Sequence, residues 1–251
     1  MNKNIKILFF VLLICSCSTK KKIFYIQDAT EDSTYETFFD DYLIKPDDIL
    51  KIDIKVDVPV NSISPESDNS FNKSRESLLL DGYMVDLNGY IDFPSIGKIQ
   101  ASGLSLSQLK TNIYEKFVSK KLYVNPTIDI KILNAHFTIL GEVNNPGRYI
   151  FDENNMDILK AIGMAGDLTI NGQRNDIKLI RNLDGDRHVK SIDLTEINFI
   201  TSKNFQVFSG DIIVVNPNSS RVKNAGIIGN SGTLLSLLSF ILSSIIVISS
   251  N

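Results

Sequence analysis

The sequence YLIKPDDILKIDIKVDV, residues 42–58, indicates the fold of this chain most clearly. Five apolar residues in it alternate with Lys or Asp: Leu50, Ile52, Ile54, Val56 and Val58. Successive side chains of a strand point to opposite faces, so the alternation predicts a β-strand with one buried face and one wet face. Pro46-Asp47-Asp48, directly before it, predicts the turn from which the strand starts.

The residues that follow, up to about 134, complete a first unit. Residues 78–93 predict a hairpin, because Asn88-Gly89 supplies the positive φ that a tight turn between two strands requires. Ser105 and Gln108 form a capping box, which predicts the start of a helix. The apolar residues of this helix recur at helical spacing: Leu106, Leu109, Ile113 and Phe117. Alternating isoleucines in residues 128–132 predict a further strand.

A second unit is predicted from about His136 onward. Its predicted elements are a strand (136–143), a turn (144–147), a returning strand (148–151), a helix ended by Ala165-Gly166, two paired strands (177–181 and 188–194), and a final strand, turn and strand (205–208, 209–211 and 212–215). Strands and a helix in this order, joined by short connections, form a compact α+β unit. The chain is therefore predicted to hold two small mixed modules.

The composition and the two histidines argue against several functions. The 251 residues carry a formal net charge of −3, so the chain lacks the basic excess that is typical of nucleic-acid partners. His136 and His188 lie in predicted strands without a cysteine or a suitably spaced carboxylate, which disfavours a metal site or a catalytic triad. We therefore predict a chain that is not an enzyme and that has no catalytic residues, no metal and no cofactor.

The N-terminus is typical of a bacterial lipoprotein signal. Lys3 and Lys6 supply the positively charged region of a signal peptide. They precede an apolar run at residues 7–14 that is too short to span a membrane. Ile14-Cys15-Ser16-Cys17 then resembles a lipobox, in which Cys17 fits the modified position. We expect cleavage before Cys17 and attachment of a diacylglyceryl group to its thiol. An uncleaved signal or an ordinary cleavage site is the alternative.

The C-terminal stretch is free of charged side chains from residue 224 to residue 251. Residues 233–250 would form a helix about 27 Å long at about 1.5 Å per residue, close to the roughly 30 Å hydrocarbon core of a bilayer. Six serines in these residues make it an unusual membrane helix. Small or polar residues fall within an arc of about 80° around this helix: Gly229, Gly232, Ser236, Ser239, Ser243 and Ser250.

This stripe of small and polar residues has two possible uses. It can pack closely on other helices, because small residues allow helix backbones to approach. Alternatively, several copies can turn it toward a water-filled lumen, which would then be lined by Ser236, Ser239, Ser243 and Ser250. A third possibility is a single tail anchor, whose serines donate hydrogen bonds to carbonyls of their own helix.

The motifs of both units resemble a known family. YLIKPDDILKIDI (42–54), GYMVDLNGYIDFPSIGKIQASGLSLSQLK (82–110) and NPTIDIKI (125–132) look like the polysaccharide export domain of Wza-type outer-membrane export proteins. LGEVNNPGRYIF (140–151), ILKAIGMAGDLT (158–169), IKLIR (177–181) and FSGDIIVV (208–215) look like the soluble-ligand-binding β-grasp (SLBB) module that follows that domain. The resemblance covers about residues 42–217.

The chain departs from the family pattern in two respects. The usual Pro-Gly-Asp before the first strand is Pro46-Asp47-Asp48 here. Aspartate is among the few residues other than glycine that tolerate a left-handed conformation, so we expect the turn to persist. Only one SLBB module is visible, so the periplasmic part is expected to be short. In the second unit, Gly141, Pro146 and Gly147 are expected to shape turns rather than to bind glycan.

Together these features predict an outer-membrane polysaccharide export lipoprotein of the α+β class. The expected segments are a lipoprotein signal peptide (1–16), a lipidated tether (17–41), a polysaccharide export domain (42–134), a β-grasp SLBB domain (135–217) and a C-terminal transmembrane helix (225–250). The resemblance implies a homo-oligomeric ring that translocates a polysaccharide, with an inner-membrane polysaccharide co-polymerase as partner. The alternative is a membrane-anchored β-grasp lipoprotein that binds glycan or a protein partner without forming a pore.

Overall fold

The computed structural model describes residues 24–56, 75–123, 125–183 and 185–219, and individual residues at 232, 235–237, 239–240 and 243–244. The predicted signal peptide, Cys17 and Ser250 lie outside the described residues. The described chain is a mixed α/β structure with two units, each of which surrounds its own cluster of buried apolar side chains. The predicted mixed α/β class is confirmed.

The first unit contains a three-stranded antiparallel sheet, a two-stranded hairpin and two helices. In chain order its elements are β1 (Ile49–Lys55), α1 (Arg75–Leu80), β2 (Tyr83–Met84), β3 (Tyr90–Phe93), β4 (Gly97–Gln100), α2 (Leu106–Ser119) and β5 (Thr127–Ile132). β1 is the central strand of the larger sheet, with β2 on one side and β5 on the other. Leu50 is fully buried, and Ile52 and Ile54 pack on the same apolar cluster, so the predicted face of β1 points into the core.

Helix α2 begins and packs as its sequence predicts. The Ser105 side chain accepts a hydrogen bond from the backbone N–H of Gln108 (3.3 Å), and the Gln108 side chain accepts one from the backbone N–H of Ser105 (2.9 Å). These bonds satisfy backbone donors that have no partner within the helix. Leu109, Ile113 and Phe117 are buried, so one stripe of α2 closes the core of the first unit.

The hairpin predicted at residues 78–93 is wrong. The Asn88-Gly89 turn exists, and Asp86 closes it by accepting hydrogen bonds from the backbone N–H groups of Asn88 and Tyr90. However, β3 after the turn pairs with β4, whereas β2 before the turn pairs with β1. Leu87 is 82% exposed because it lies in the connecting turn and not in a strand. The Asn88-Gly89 sequence therefore predicted the turn correctly, but it did not predict which strands pair with each other.

The second unit is a five-stranded mixed sheet with one helix packed on it. Its elements are β6 (His136–Gly141), β7 (Gly147–Ile150), α3 (Ile158–Met164), β8 (Gly172–Leu183), β9 (Asp186–Ile192), a short 3-10 helix (Ile197–Phe199) and β10 (Ile212–Pro217). The strand order is β7-β6-β10-β8-β9, in which β6 and β10 are parallel and all other neighbours are antiparallel. The first and last strands of the unit thus lie side by side. Residues 205–208, predicted as a strand, form only an isolated bridge through Gln206.

Residues 24–41, predicted as a tether, are not a free linker, because they lie along the second unit; we call them the strap. Near its start, the backbone N–H of Ile26 donates to the carbonyl of Leu194 at 3.0 Å. Near its end, the backbone of Asp40 and the side chain of Gln206 exchange two hydrogen bonds of 2.8 and 3.0 Å. The chain therefore contacts the second unit before it enters the first.

The transmembrane helix predicted at 225–250 lies largely outside the described residues. Within the part of the chain that the structure describes, no helix is long and apolar enough to cross a membrane. The spanning helix therefore stays a prediction.

Replacement of Ser105 by Ala tests the cap of α2. The substitution removes the side-chain acceptor at the helix start, so we expect the free energy of unfolding in urea to fall by about 1 kcal/mol. Ser107→Ala, on an exposed position of the first helical turn, is the matched control and should leave stability unchanged or slightly higher. Equal losses in the two variants would contradict the capping role of Ser105.

Candidate functional site

The Pro46-Asp47-Asp48 turn is built around the buried carboxylate of Asp48. Asp47 has a φ of +69°, so an aspartate fills the left-handed position that glycine usually occupies. Oδ2 of Asp48 accepts hydrogen bonds from the backbone N–H of Lys45 (2.8 Å) and from the hydroxyl of Tyr42 (2.9 Å). The carboxylate therefore ties the beginning of the turn to its end, immediately before β1.

The turn before β10 repeats this construction. Gly210 occupies the left-handed position at φ +88°, and Oδ2 of Asp211 accepts a hydrogen bond from the backbone N–H of Phe208 at 2.8 Å. In both turns the backbone N–H of the aspartate donates to the carbonyl three residues earlier, at 3.2 Å for Asp48 and 3.1 Å for Asp211. Each unit thus starts an interior strand of its sheet from the same kind of turn.

The carboxylate of Asp211 is buried and paired with Arg181. The Arg181 Nε lies 2.9 Å from Oδ1 and its Nη2 lies 2.7 Å from Oδ2, while Nη2 also donates to the carbonyl of Gln206 at 2.6 Å. Removing water from both charges offsets much of their attraction, so the pair adds little net stability by itself. Its main consequence is that neither charge can be removed without leaving the other buried and unpaired.

In the first turn, the carboxylate of Asp48 is held by hydrogen bonds from a backbone N–H and a tyrosine hydroxyl and not by an arginine. Burial raises the pKa of Asp48, while the hydrogen bonds from the Lys45 backbone and the Tyr42 hydroxyl oppose that rise. Burial and the nearby charge of Asp48 raise the pKa of Tyr42 far above its ordinary value. Tyr42 therefore stays protonated at neutral pH and continues to donate its hydroxyl to Asp48.

A row of cations and aromatic rings joins the two turns at the junction of the units. The rings of Tyr42 and Phe208 meet edge to face, with their centroids 6.0 Å apart. Lys45 Nζ lies 5.6 Å from the centroid of the Tyr42 ring, and the guanidinium carbon of Arg181 lies 4.3 Å from that of Phe208. These distances are typical of cation–π contacts. Two residues of the first unit are thus held against two residues of the second.

Asn134, in the short connection between β5 and β6, fastens the first turn from the other side. Its Oδ1 accepts a hydrogen bond from the backbone N–H of Ile49 (2.9 Å), and its Nδ2 donates to the carbonyl of Asp47 (2.8 Å). The Lys45 side chain also reaches the carbonyl of Asn182 near the end of β8 at 3.4 Å. The junction is therefore closed by hydrogen bonds as well as by rings.

Sequence reasoning missed most of the residues at this junction. A single asparagine in a connection carries no distinctive signal, so Asn134 could not be found. Arg181 could have been found, because it follows Ile177 and Leu179 at strand spacing and therefore lies on the buried face of β8. A buried arginine requires an acidic partner, and that requirement points to Asp211.

Gly141, Pro146 and Gly147 bracket the connection from β6 to β7. Gly141 has a φ of +94°, and a Cβ on it would lie 2.0 Å from the carbonyl oxygen of Val215 on β10. Glycine is therefore required where the two parallel strands come together. Pro146 is exposed, and Gly147 begins β7 with open space around it. In the described geometry these three residues shape the connection between β6 and β7 and the close approach of β6 to β10.

The described residues of the C-terminal stretch are helical. Three apolar side chains in it are more than half exposed: Leu235, Leu237 and Phe240. Ser236, Ser239 and Ser243 are exposed as well, and the Ser239 hydroxyl donates to the carbonyl of Ser236 at 2.9 Å. Apolar and hydroxyl-bearing surfaces are therefore both available to other molecules. Ser250 and Cys17, the other predicted site residues of the two ends, lie outside the described residues.

The two histidines differ in their surroundings. His136 Nδ1 lies 2.9 Å from the carbonyl of Asn134, and His188 is exposed on β9, opposite Arg181 in the strand register. Across the described ranges, no three His, Cys, Asp or Glu side chains are grouped so that they could hold a metal ion.

Substitution of Asp211 by Asn tests the buried ion pair. The change leaves the Arg181 guanidinium buried without a counter-charge, so we expect the free energy of unfolding to fall by about 3–5 kcal/mol. Glu153→Gln, which removes one partner of the exposed 2.7 Å pair with Lys160, is the control and should give no resolvable change in urea denaturation. Similar stabilities of the two variants would show that the Arg181–Asp211 pair does not hold the second turn.

Two substitutions at Asp47 test the left-handed position of the first turn. Asp47→Gly should keep stability within about 0.5 kcal/mol, because glycine adopts a positive φ freely. Asp47→Val should lower the free energy of unfolding by about 1–2 kcal/mol, because a β-branched side chain clashes with the backbone at φ +69°. Thermal or urea denaturation of both variants measures the difference, and equal stabilities would contradict this turn geometry.

Comparison with known proteins gives two adjoining family matches. Residues 39–133 match the family described as polysaccharide biosynthesis/export protein, and residues 135–215 match the SLBB domain. The chain is 25% identical, over 159 residues, to the EPS I polysaccharide export outer membrane protein EpsA of Ralstonia solanacearum, covering 61% of this chain and 41% of that protein. For the protein of the same name from Ralstonia nicotianae, identity is 26% over 138 residues, covering 53% of this chain and 35% of that protein.

The matched part spans less than half the length of both relatives. Their names describe export and not an enzymatic reaction, which agrees with the prediction that this chain is not an enzyme. The two family matches adjoin at the Asn134 connection, in the order that the sequence motifs indicated. Residues 39–133 therefore belong to the polysaccharide biosynthesis/export protein family and residues 135–215 to the SLBB domain family, which supports the resemblance to Wza-type export proteins.

Proposed function

We propose that this chain is one subunit of an oligomeric channel that exports polysaccharide through the bacterial outer membrane. A lipid on Cys17 anchors the start of the chain in the membrane leaflet that faces the periplasm. The two α+β units stand in the periplasm, and an inner-membrane polysaccharide co-polymerase delivers the polymer to them. C-terminal helices from several copies form the channel wall, with Ser236, Ser239, Ser243 and Ser250 toward the lumen.

The observation that carries this proposal is the order of the parts along the chain. A lipobox-like sequence is followed by the export domain, the SLBB domain and a charge-free stretch with an ordered serine stripe. The relatives are named as outer-membrane export proteins, which supports both the location and the cargo. One helix cannot enclose a lumen, so the proposed function requires a closed ring of identical chains.

The chemistry of the serine stripe suits the passage of a hydrated glycan. Hydroxyl groups offer weak, exchangeable hydrogen bonds to sugar and water, whereas fixed charges would hold particular groups of the polymer. The exposed Leu235 and Leu237 lie on other faces of the same helix and are suited to lipid or to neighbouring helices. The serines also lower the hydrophobicity of the stretch, which would help it to escape insertion into the inner membrane.

A second candidate is a single-chain lipoprotein that binds glycan or a partner protein and uses its C-terminal helix as a plain anchor. The serine hydrogen bonds favour it, because Ser239 donates to the carbonyl of Ser236 and Ser244 to that of Phe240 (2.8 Å). Hydroxyl protons satisfied in this way need no lumen. The oxygen of such a hydroxyl can nevertheless accept a hydrogen bond from sugar or water. The direction that the stripe faces therefore separates the two candidates.

Single-cysteine variants test this direction. Ser236→Cys, Ser239→Cys and Ser243→Cys are compared with Leu235→Cys and Leu237→Cys in outer-membrane preparations treated with a membrane-impermeant thiol reagent. In the proposed mature protein, Cys15 has been removed with the signal peptide and the thiol of Cys17 is bound to lipid. The introduced cysteine is therefore the reactive thiol. We expect the three stripe positions to react at least about tenfold faster, because a thiol in hydrocarbon is not ionised.

A functional measurement accompanies the labelling. A bulky thiol reagent attached at position 239 should reduce the polysaccharide displayed at the cell surface, while the same reagent offered to the Leu237→Cys cells should not. Slow reaction at all five positions, with normal surface polysaccharide, would contradict the channel and favour the plain anchor.

A further inference from the structure

The start of the strap is fixed to the loop that leads from α3 into β8. We call residues 166–172 the exit loop. The hydroxyl of Tyr25 donates a hydrogen bond to Oδ1 of Asp167 in this loop. The Tyr25 ring also lies over the buried guanidinium of Arg174, 5.1 Å from ring centroid to guanidinium carbon. Arg174 in turn donates to the carbonyl of Gly172 at 3.3 Å.

The chain after β10 is fixed to the same loop. After β10, the backbone N–H of Asn218 donates to the carbonyl of Asn171 at 2.7 Å. The side-chain Nδ2 of Asn218 donates to the carbonyl of Ile170 at 3.3 Å. Tyr25, near the start of the described residues, and Asn218, just after β10, therefore both contact one loop of seven residues.

The lengths of chain beyond these contacts keep both membrane attachments close to the exit loop. Cys17 precedes Tyr25 by eight residues, which span at most about 29 Å when fully extended. The charge-free stretch begins at residue 224, six residues after Asn218, or at most about 22 Å away. A lipid on Cys17 and a membrane-embedded C-terminal stretch would both draw the same loop toward the bilayer.

The first unit lies away from this loop. Strand β8 runs from Gly172, where the exit loop ends, toward Asn182, whose carbonyl contacts Lys45 of the first unit. Ten residues of strand extend about 33 Å at about 3.3 Å per residue. The second unit therefore separates the exit loop from the first unit by roughly the length of β8.

We infer that the exit loop docks on the lipid bilayer and that the side chain of Ile170 enters its headgroup region. Ile170 in the exit loop is 64% exposed, although Leu168, two residues earlier, is buried. Both proposed attachments leave the body at this loop. Burying a large apolar side chain there in the membrane interface removes its apolar surface from water, which favours membrane binding. This inference rests on the proposed function for the lipid at Cys17 and for the membrane-embedded C-terminal stretch.

A fluorescent label at position 170 tests the inference. Full-length Ile170→Cys protein is labelled with nitrobenzoxadiazole and reconstituted into phosphatidylethanolamine–phosphatidylglycerol vesicles. Leu183→Cys, at the opposite end of β8 in the same unit, and Leu87→Cys, in the first unit, are the matched controls, since both native side chains are exposed. We expect the label at 170 to emit at shorter wavelength and to be quenched by nitroxide lipids, while the labels at 183 and 87 keep emission typical of water.

Two further readings on the same samples separate this inference from the proposed function. The intact mass reports the lipid on Cys17, and electron microscopy reports the ring. Quenching at 170 without a ring would uphold membrane docking and contradict the channel. Lipidated rings whose label at 170 stays in water, or whose labels at 183 or 87 are quenched instead, would overturn the docking of the exit loop while the channel stands.

Discussion

A buried aspartate that closes a short turn is the constraint on which both units depend. Asp48 and Asp211 each accept the backbone N–H of the residue three positions earlier, and each follows a residue with a positive φ. These turns deliver the chain into β1 and β10, which lie in the interior of their sheets. Asp48 also accepts a hydrogen bond from the Tyr42 hydroxyl and Asp211 one from the backbone N–H of Phe208, so the same two carboxylates position the two rings that meet between the units.

This arrangement fixes the two units to each other without a large shared core. Each unit has its own apolar cluster, and the junction consists of rings, cations and side-chain hydrogen bonds to the backbone. The strap adds contacts that run along the second unit to the exit loop. For a ring-forming channel, such a body would hold its two domains in one orientation and send both membrane attachments out on one side.

Local signals in the sequence predicted local structure well. The capping box of Ser105 and Gln108 and the alternation in β1 depend on residues within a few positions of each other, and both are present in the structure. The choice of strand partners is not local. The Asn88-Gly89 turn formed, yet β3 found β4 because the chain after Phe93 turns back at once. For the same reason the turns at Asp48 and Asp211 were predicted, whereas their meeting was not.

The strap shows most clearly which contacts the side-chain pattern of a sequence does not predict. Strap residues such as Ile26 use backbone groups to bind Leu194, far along the chain, and backbone groups leave no trace in the side-chain pattern. Arg181 did leave such a trace, because strand spacing places it on a buried face. The serine stripe is the opposite case, since its pattern is clear in the sequence, whereas the lumen-facing role proposed for it depends on other copies of the chain.

The central claim is that the C-terminal stretch functions only in a closed ring of identical chains. The most direct measurement is electron cryo-microscopy of the full-length protein, extracted from outer membranes in mild detergent, together with its native mass. We predict particles with rotational symmetry around a lumen that is lined by residues 236, 239 and 243 and capped by two tiers of domains. Particles of a single chain at the concentrations found in the membrane would contradict the channel.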